Sequence, residues 1–153
     1  MPDGRVWTAG SDHDARPGAG EPPPGNDDYR NLDIEIYEPW YFADPGRPFI
    51  TAAPSLAYPG DTILVQSTFA NDIERVVLVR CGTSTHSFNP DQRMIELSWT
   101  NPVDDNLLVV MPPNNNIMPP GPYLIFTIRR KMGTLGLPSS GTNIYIVPER
   151  RDR

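Results

Sequence analysis

Chemistry in this chain has few places to start. It holds two histidines, His13 and His86, and one cysteine, Cys81. His86 sits in Thr83-Ser84-Thr85-His86-Ser87-Phe88, between an apolar run ending at Arg80 and an alternating run opening at Met94. A neutral imidazole offered from a short polar loop is a good ligand for Cu(II), and loop tips on rigid scaffolds commonly present ligands. By residue type alone, His86 is read as an exposed or hydrogen-bonded loop histidine rather than a ligand. His13 lies between Asp12 and Asp14 in a stretch almost without apolar residues, and is read as part of a solvated loop. Cys81 closes a buried apolar run and is read as a small core residue. Adjacent carboxylates occur at Asp27-Asp28, Asp33/Glu35 and Asp104-Asp105. The first and third fall in loops and the second faces solvent by strand alternation. None has a setting that would separate the two pKa values, so glycosidase chemistry has no support. No glycine-rich phosphate loop, serine nucleophile elbow or EF-hand spacing is present.

The elements that must position these residues are β-strands. Nineteen prolines and 12 glycines among 153 residues are spread between short apolar runs, as turn punctuation. Leu32, Ile34 and Ile36 alternate with polar or aromatic neighbours and predict a half-buried strand. Ile63, Val65 and Ser67 share a face of a strand over 62–68. Residues 76–81 are apolar at nearly every position and predict a central strand buried on both faces. Ile95, Leu97 and Trp99 point inward from the next strand, and Asn101-Pro102 with Asp104-Asp105-Asn106 reads as the turn that ends it. Leu107–Met111 is a strand stopped by Pro112-Pro113. Leu124, Phe126 and Ile128 share one side of a strand over 123–129, and Ile144–Val147 closes the domain. About seven strands over 32–148, with no helical period, predict an all-β, Ig-like antiparallel sandwich. Without a Cys…Trp…Cys spacing it is not antibody-like. Residues 1–10 form a turn at Pro2-Asp3-Gly4 and a short strand. Residues 11–31 read as a long flexible loop, so the first strand belongs to a different unit from the sandwich. Residues 149–153, with Arg150-Arg151-Asp152-Arg153, read as a tail.

The net charge of −6 argues against a nucleic-acid surface. No apolar run approaches the ~20 residues needed to span a membrane. No basic segment followed by an apolar stretch opens the chain, so no signal peptide is read there. A single cysteine leaves the compartment open.

Several segments resemble the galactose oxidase/glyoxal oxidase-like copper radical oxidases, and specifically their C-terminal early-set domain. Val77–Leu97, with Arg80, Thr85-His86 and Gln92-Arg93, resembles the family stretch in which a strand ends in Arg, a loop carries Thr-His and Gln-Arg opens the next strand. Met118–Phe126 is similar to the family's PPGYYMLF strand, and Leu137-Pro138-Ser139-Ser140 to its GVPS. Pro2–Gly10 resembles the LLPDGRV strand of the last propeller blade, and Ile36–Phe42 the crossover from propeller to sandwich. The resemblance runs collinearly through nearly the whole chain.

The resemblance implies that residues 1–31 are a remnant of the last strand of a kelch-type propeller with a loop, followed by the early-set sandwich. It implies an oxidase that turns a primary alcohol or aldehyde and O2 into oxidised product and H2O2, with copper as cofactor. His86 is then the one copper ligand supplied by the sandwich. Two tyrosines, a second histidine and the tyrosine–cysteine redox cofactor belong upstream, and Cys81 does not match that cysteine. Gln92 and Arg93 take structural roles, namely a strand-opening hydrogen bond and an inter-sheet or inter-domain salt link. The implied partners are the N-terminal propeller and a small alcohol, aldehyde or carbohydrate, in an extracellular or cell-envelope setting. One imidazole cannot hold and tune such a site, so the expectation is that this chain alone is not a competent oxidase. The first strand is expected to lack its blade partners and to be poorly anchored, or paired with something non-native such as another copy of the chain. The alternative is a non-catalytic Ig-like module for carbohydrate, cell-wall or protein binding.

Overall fold

The structure is a computed structural model, and it describes residues 1–9, 34–83, 88–133 and 135–149. The histidines His86 and His13, residues 10–33 and the terminal arginines lie outside the described residues.

Strands account for nearly all the regular structure, with one 3-10 turn at Ala70–Asp72. β1 (Val6–Ala9) and β2 (Ile34–Tyr37) form a two-stranded antiparallel ribbon. The remaining strands are β3 (Ile50–Ala52), β4 (Leu56–Ala57), β5 (Thr62–Ser67), β6 (Ile73–Arg80), β7 (Met94–Val103), β8 (Asn106–Val110), β9 (Gly121–Arg129), β10 (Leu137–Pro138) and β11 (Thr142–Ile146). They are hydrogen-bonded in the order β3-β5-β8-β7-β6-β9-β11-β4, with β10 on β9. All these pairs are antiparallel except β11 with β4.

The path curls into two layers at β7. Its first half pairs with β6 through Leu97↔Val76 to Met94↔Val79. Its second half pairs with β8 from Ser98↔Val110 onward. The ladder shifts register between Thr100 and Val103, and the chain turns at Asp104, which sits at φ 51. The strand therefore runs through Asn101-Pro102, where the sequence suggests a turn. A bulge is a site where a strand tolerates a residue with no N–H to donate.

The core lies between the layers. Ile63 and Val65 of β5 and Leu107 and Val109 of β8 meet Val76 and Leu78 of β6, Tyr123 and Ile125 of β9, and Ile144 and Ile146 of β11. These are alternate residues, as a pleated strand with one covered face requires. Fully burying each such side chain contributes roughly 1.5–3 kcal/mol. β6 is central in its layer, and Val76, Val77 and Leu78 are all buried, as their unbroken apolar run predicts. One polar contact crosses between the layers: Ser67 Oγ and Thr127 Oγ1 lie 3.0 Å apart, both residues fully buried. Thr127 N–H also donates to Ser139 Oγ at 3.1 Å, so the buried side-chain oxygens of Ser67, Thr127 and Ser139 are hydrogen-bonded there.

The ribbon departs from expectation in two ways. β1 has a partner in this chain, β2, with Trp7 opposite Ile36 and Val6 opposite Tyr37. And β2, predicted half-buried, is exposed along its whole length. The ribbon is tied to the sandwich beneath its turn, where Gly141 N–H donates to Pro2 O at 2.6 Å and Tyr41 OH to Gly4 O at 3.4 Å.

Candidate functional site

The segment that should carry His86 leaves the sandwich between Thr83 and Phe88. His86, with Ser84, Thr85 and Ser87, lies outside the described residues, which resume at Phe88 after Thr83. β6 delivers one arm and β7 the other. At its base Arg80 N–H donates to Arg93 O at 2.9 Å, and Cys81 N–H to Pro122 O at 3.0 Å. One step further, the arms touch. A Cβ on Gly82 would lie 2.4–2.8 Å from the Asn89 amide, so only glycine allows this approach without displacing that side chain. Above it Thr83 Oγ1 donates to Asp91 Oδ2 at 3.0 Å. Asp91 Oδ1 also faces Arg80 Nε at 3.8 Å. The Arg80 guanidinium lies 5.8 Å from the Tyr123 ring centroid, and the Tyr123 hydroxyl donates to Pro119 O at 2.9 Å. Asp91 thus links the outgoing arm to the side of the sandwich. It stands inside the Asn-Pro-Asp-Gln-Arg run, yet nothing in its spacing signals the contact with Thr83.

Gln92 and Arg93 lie just before β7, which opens at Met94, and the Arg93 carbonyl accepts from Arg80 N–H. Arg93 Nη1 donates to Asn116 O at 3.0 Å and Ile117 O at 2.7 Å, tying the 114–118 loop down through backbone acceptors. Gln92 is exposed and lines a surface hollow of about 470 Å3 with Val79, Arg80, Asn89, Arg93 and Met94. Cys81 falls just past the end of β6 and is half-buried, at the margin of the core rather than within it. Glu35 is exposed on the ribbon, and Asp104-Asp105 forms the turn after β7. Among the described residues no group of three or more His, Cys, Asp or Glu side chains could hold a metal ion.

Two aspartates have carboxyls held below the ordinary aspartate range. Asp3 is lowered first by the Arg5 backbone N–H and then by the Arg5 guanidinium. Asp44 is lowered first by the Lys131 ammonium and then by the Gly46 N–H. Both belong to the region where the ribbon meets the sandwich.

That region carries the second notable surface. Trp7, Ile34 and Ile36 share one face of the ribbon and are 57%, 66% and 53% exposed. Val6 and Tyr37 on the other face are also largely exposed, as is Trp40 just beyond it. Contiguous apolar exposure of this kind marks a surface for another body.

Comparison with known proteins accords with this arrangement. The family model for the galactose oxidase-like, early set domain matches residues 47–146. An aldehyde oxidase GLOX from Vitis pseudoreticulata is 32% identical over 97% of this chain and 28% of its own length. A galactose oxidase from Gibberella zeae is 27% identical over 95% of this chain and 20% of its own. A solved structure of a fungal alcohol oxidase of the AA5 family, in complex with copper, superposes with a TM-score of 0.74. It does so at 22% identity, over 95% of this chain and 29% of that one. The chain spans less than a third of the length of the relatives it matches. The matched residues take in β3 to β11, the loop neck and the whole core, and the chain belongs to the galactose oxidase-like, early set domain family.

Proposed function

We propose that this chain serves as the C-terminal sandwich of a galactose oxidase/glyoxal oxidase-like copper radical oxidase. The parent activity is oxidation of a primary alcohol or aldehyde by O2. An alcohol RCH2OH and O2 give RCHO and H2O2; an aldehyde hydrate and O2 give the acid and H2O2. The partner is an N-terminal kelch-type propeller, and the setting is extracellular or cell-envelope. Residues 1–9 are the closing strand of that propeller's last blade.

The observation that best supports this is the bare apolar face of Trp7, Ile34 and Ile36. A ribbon with uncovered faces and unpaired outer edges suits insertion into a larger β-structure, since an isolated two-stranded ribbon is marginal in water. Copper, when bound, supplies the redox chemistry of the family. The described residues of this chain offer no ligand set of their own, so the chain's part is to present one imidazole, His86, across the domain boundary. The closed neck at Gly82, Asn89, Thr83 and Asp91 gives that presentation a rigid base. Alone, the chain is not catalytic.

The test is reconstitution with the propeller expressed separately. Wild-type chain plus propeller should bind copper with a tetragonal EPR signal and release H2O2 from methylglyoxal or galactose. His86→Ala should dock equally but bind copper at least tenfold more weakly. Robust H2O2 production by this chain alone, or an unaltered copper signal in the His86 variant, would overturn the reading. Failure of the two parts to associate would favour an independent binding module.

A further inference from the structure

We infer that Arg47 is the latch that fixes the β1–β2 ribbon to the sandwich and so sets the angle at which the apolar face is presented. Its relevance to docking rests on the reading above; the latch itself does not.

Arg47 is half-buried at a three-way junction. Its Nη2 donates to Asp3 O at 3.0 Å, reaching the turn before β1. Its Nη1 donates to Phe42 O at 3.3 Å, in the aromatic turn that follows β2. Its Nε donates to Pro138 O at 2.9 Å, on β10 of the sandwich. The same guanidinium lies 5.4 Å from the Tyr41 ring centroid and 5.8 Å from that of Phe42. Phe42 in turn lies 5.3 Å from the guanidinium of Arg5, which leads directly into β1. One side chain therefore joins both strands, at the Val6/Tyr37 end of the ribbon, to the body of the domain.

The chemistry selects arginine. Three carbonyls from three separate segments must be met at once, and each of the three guanidinium nitrogens serves one. A planar, always-charged fork does this while stacking near aromatic faces; a lysine ammonium keeps the charge but concentrates its donors at one point. Hydrogen bonds from a charged donor are about twice as strong as neutral ones. Gly141 N–H to Pro2 O ties the turn before β1 to the sandwich, Lys131 ties Asp44 of the segment after β2 to it, and Tyr41 OH to Gly4 O joins the two turns to each other. Among the described residues Arg47 is the side chain that meets the turn before β1, the turn after β2 and β10 at once, and its removal leaves those links separate. The ribbon, four pairs long, is then near the limit at which two strands stay paired.

Hydrogen exchange on the full 153-residue chain, without partner or metal, tests this. In Arg47→Ala the amides of Val6–Ala9 and Ile34–Tyr37 should exchange roughly tenfold faster or more, with β6 and β9 amides unchanged. Arg47→Lys should restore only part of the protection. Unaltered ribbon exchange in Arg47→Ala, an equal loss in β6 and β9, or full rescue by lysine would each overturn the latch. Should Arg47→Ala fail to fold, Tyr41→Leu replaces it, removing one ring beside the guanidinium and the bond to Gly4. It should loosen the ribbon with the core intact, and an unmoved ribbon counts against the latch. Because no propeller or copper enters, a negative result here leaves the oxidase reading standing, and failed reconstitution leaves the latch standing.

Discussion

Asp44 joins the turn after the ribbon to the loop that follows β9, through the Lys131 ammonium. Its carboxyl is held below the ordinary aspartate range in the folded chain, chiefly by that partner. Above the unfolded-state pKa both states are ionised, and the folded one keeps the full benefit of the pair. As pH falls, the unfolded chain takes up the proton first, and the benefit is gone once the folded carboxyl is also protonated. Asp44→Asn should therefore melt below wild type at pH 7, by no more than about 2 °C because the partner is solvent-exposed. The gap should begin to narrow as pH falls through about 4, close only once the folded carboxyl is protonated below the ordinary range, and shrink in high salt. Melting curves of both proteins between pH 3 and pH 7 check this; a gap that widens in acid would contradict it. At this scale the sequence is only partly legible. Thr83, Asp91 and Arg93 lie in a stretch whose residue pattern flags a loop, but the Thr83–Asp91 bond and the carbonyls taken by Arg93 depend on where β6 and β7 place them. Arg47 carries no local signal at all, since its partners come from three distant segments.

The strands were more legible than the residues that join them. Period-2 alternation locates β5 with the correct inward face of Ile63, Val65 and Ser67, because one covered face forces that pattern, and it marks β8 and β11 as strands. The unbroken run at 76–78 marks the central strand of its layer, because both faces are covered. The same rule misleads at β2. Alternation at Ile34 and Ile36 specifies a strand with one apolar face, but it does not say what covers that face, and no described residue does. Turn chemistry misleads at Asn101-Pro102, where proline falls at a bulge inside β7 rather than at the end of the strand. The β9–β10 connection offers a sharper test of turn chemistry. Gly136 sits at φ +95, and a Cβ there would meet Ile128 Cγ2 at 2.7 Å and Arg129 O at 3.2 Å. Gly136→Ala combines a backbone conformation hostile to L-residues with a steric overlap. It should cost about 1–3 kcal/mol, read as a lower urea midpoint. Gly133→Ala also has positive φ, +76, but meets nothing within 4 Å, so it should cost less. Equal losses for both would show that crowding against β9 has no part in it.

At the scale of the whole molecule, the sandwich is complete and the ribbon is not. The buried core spans both layers, with Leu64, Leu108 and Val110 left exposed on the outer side of β5 and β8, whereas Trp7, Ile34 and Ile36 stand on a two-stranded platform that no described residue covers. Burying such side chains on a partner stabilises the complex by roughly 1.5–3 kcal/mol each before the losses of association are counted. Docking through this face should move Trp7 from water into an apolar setting. Adding the separately expressed propeller should shift tryptophan emission to the blue, and Trp7→Ala should abolish most of that shift. Ile36→Ser, directly opposite Trp7 in the ribbon, should weaken association at least tenfold while leaving the melting of the sandwich unchanged. Because the face is apolar, the affinity of the wild-type chain should vary little between low and moderate salt. A strong salt dependence, or unimpaired association of the Ile36 variant, would place the contact on a different surface and remove the ribbon's claim to be the joint between the two bodies.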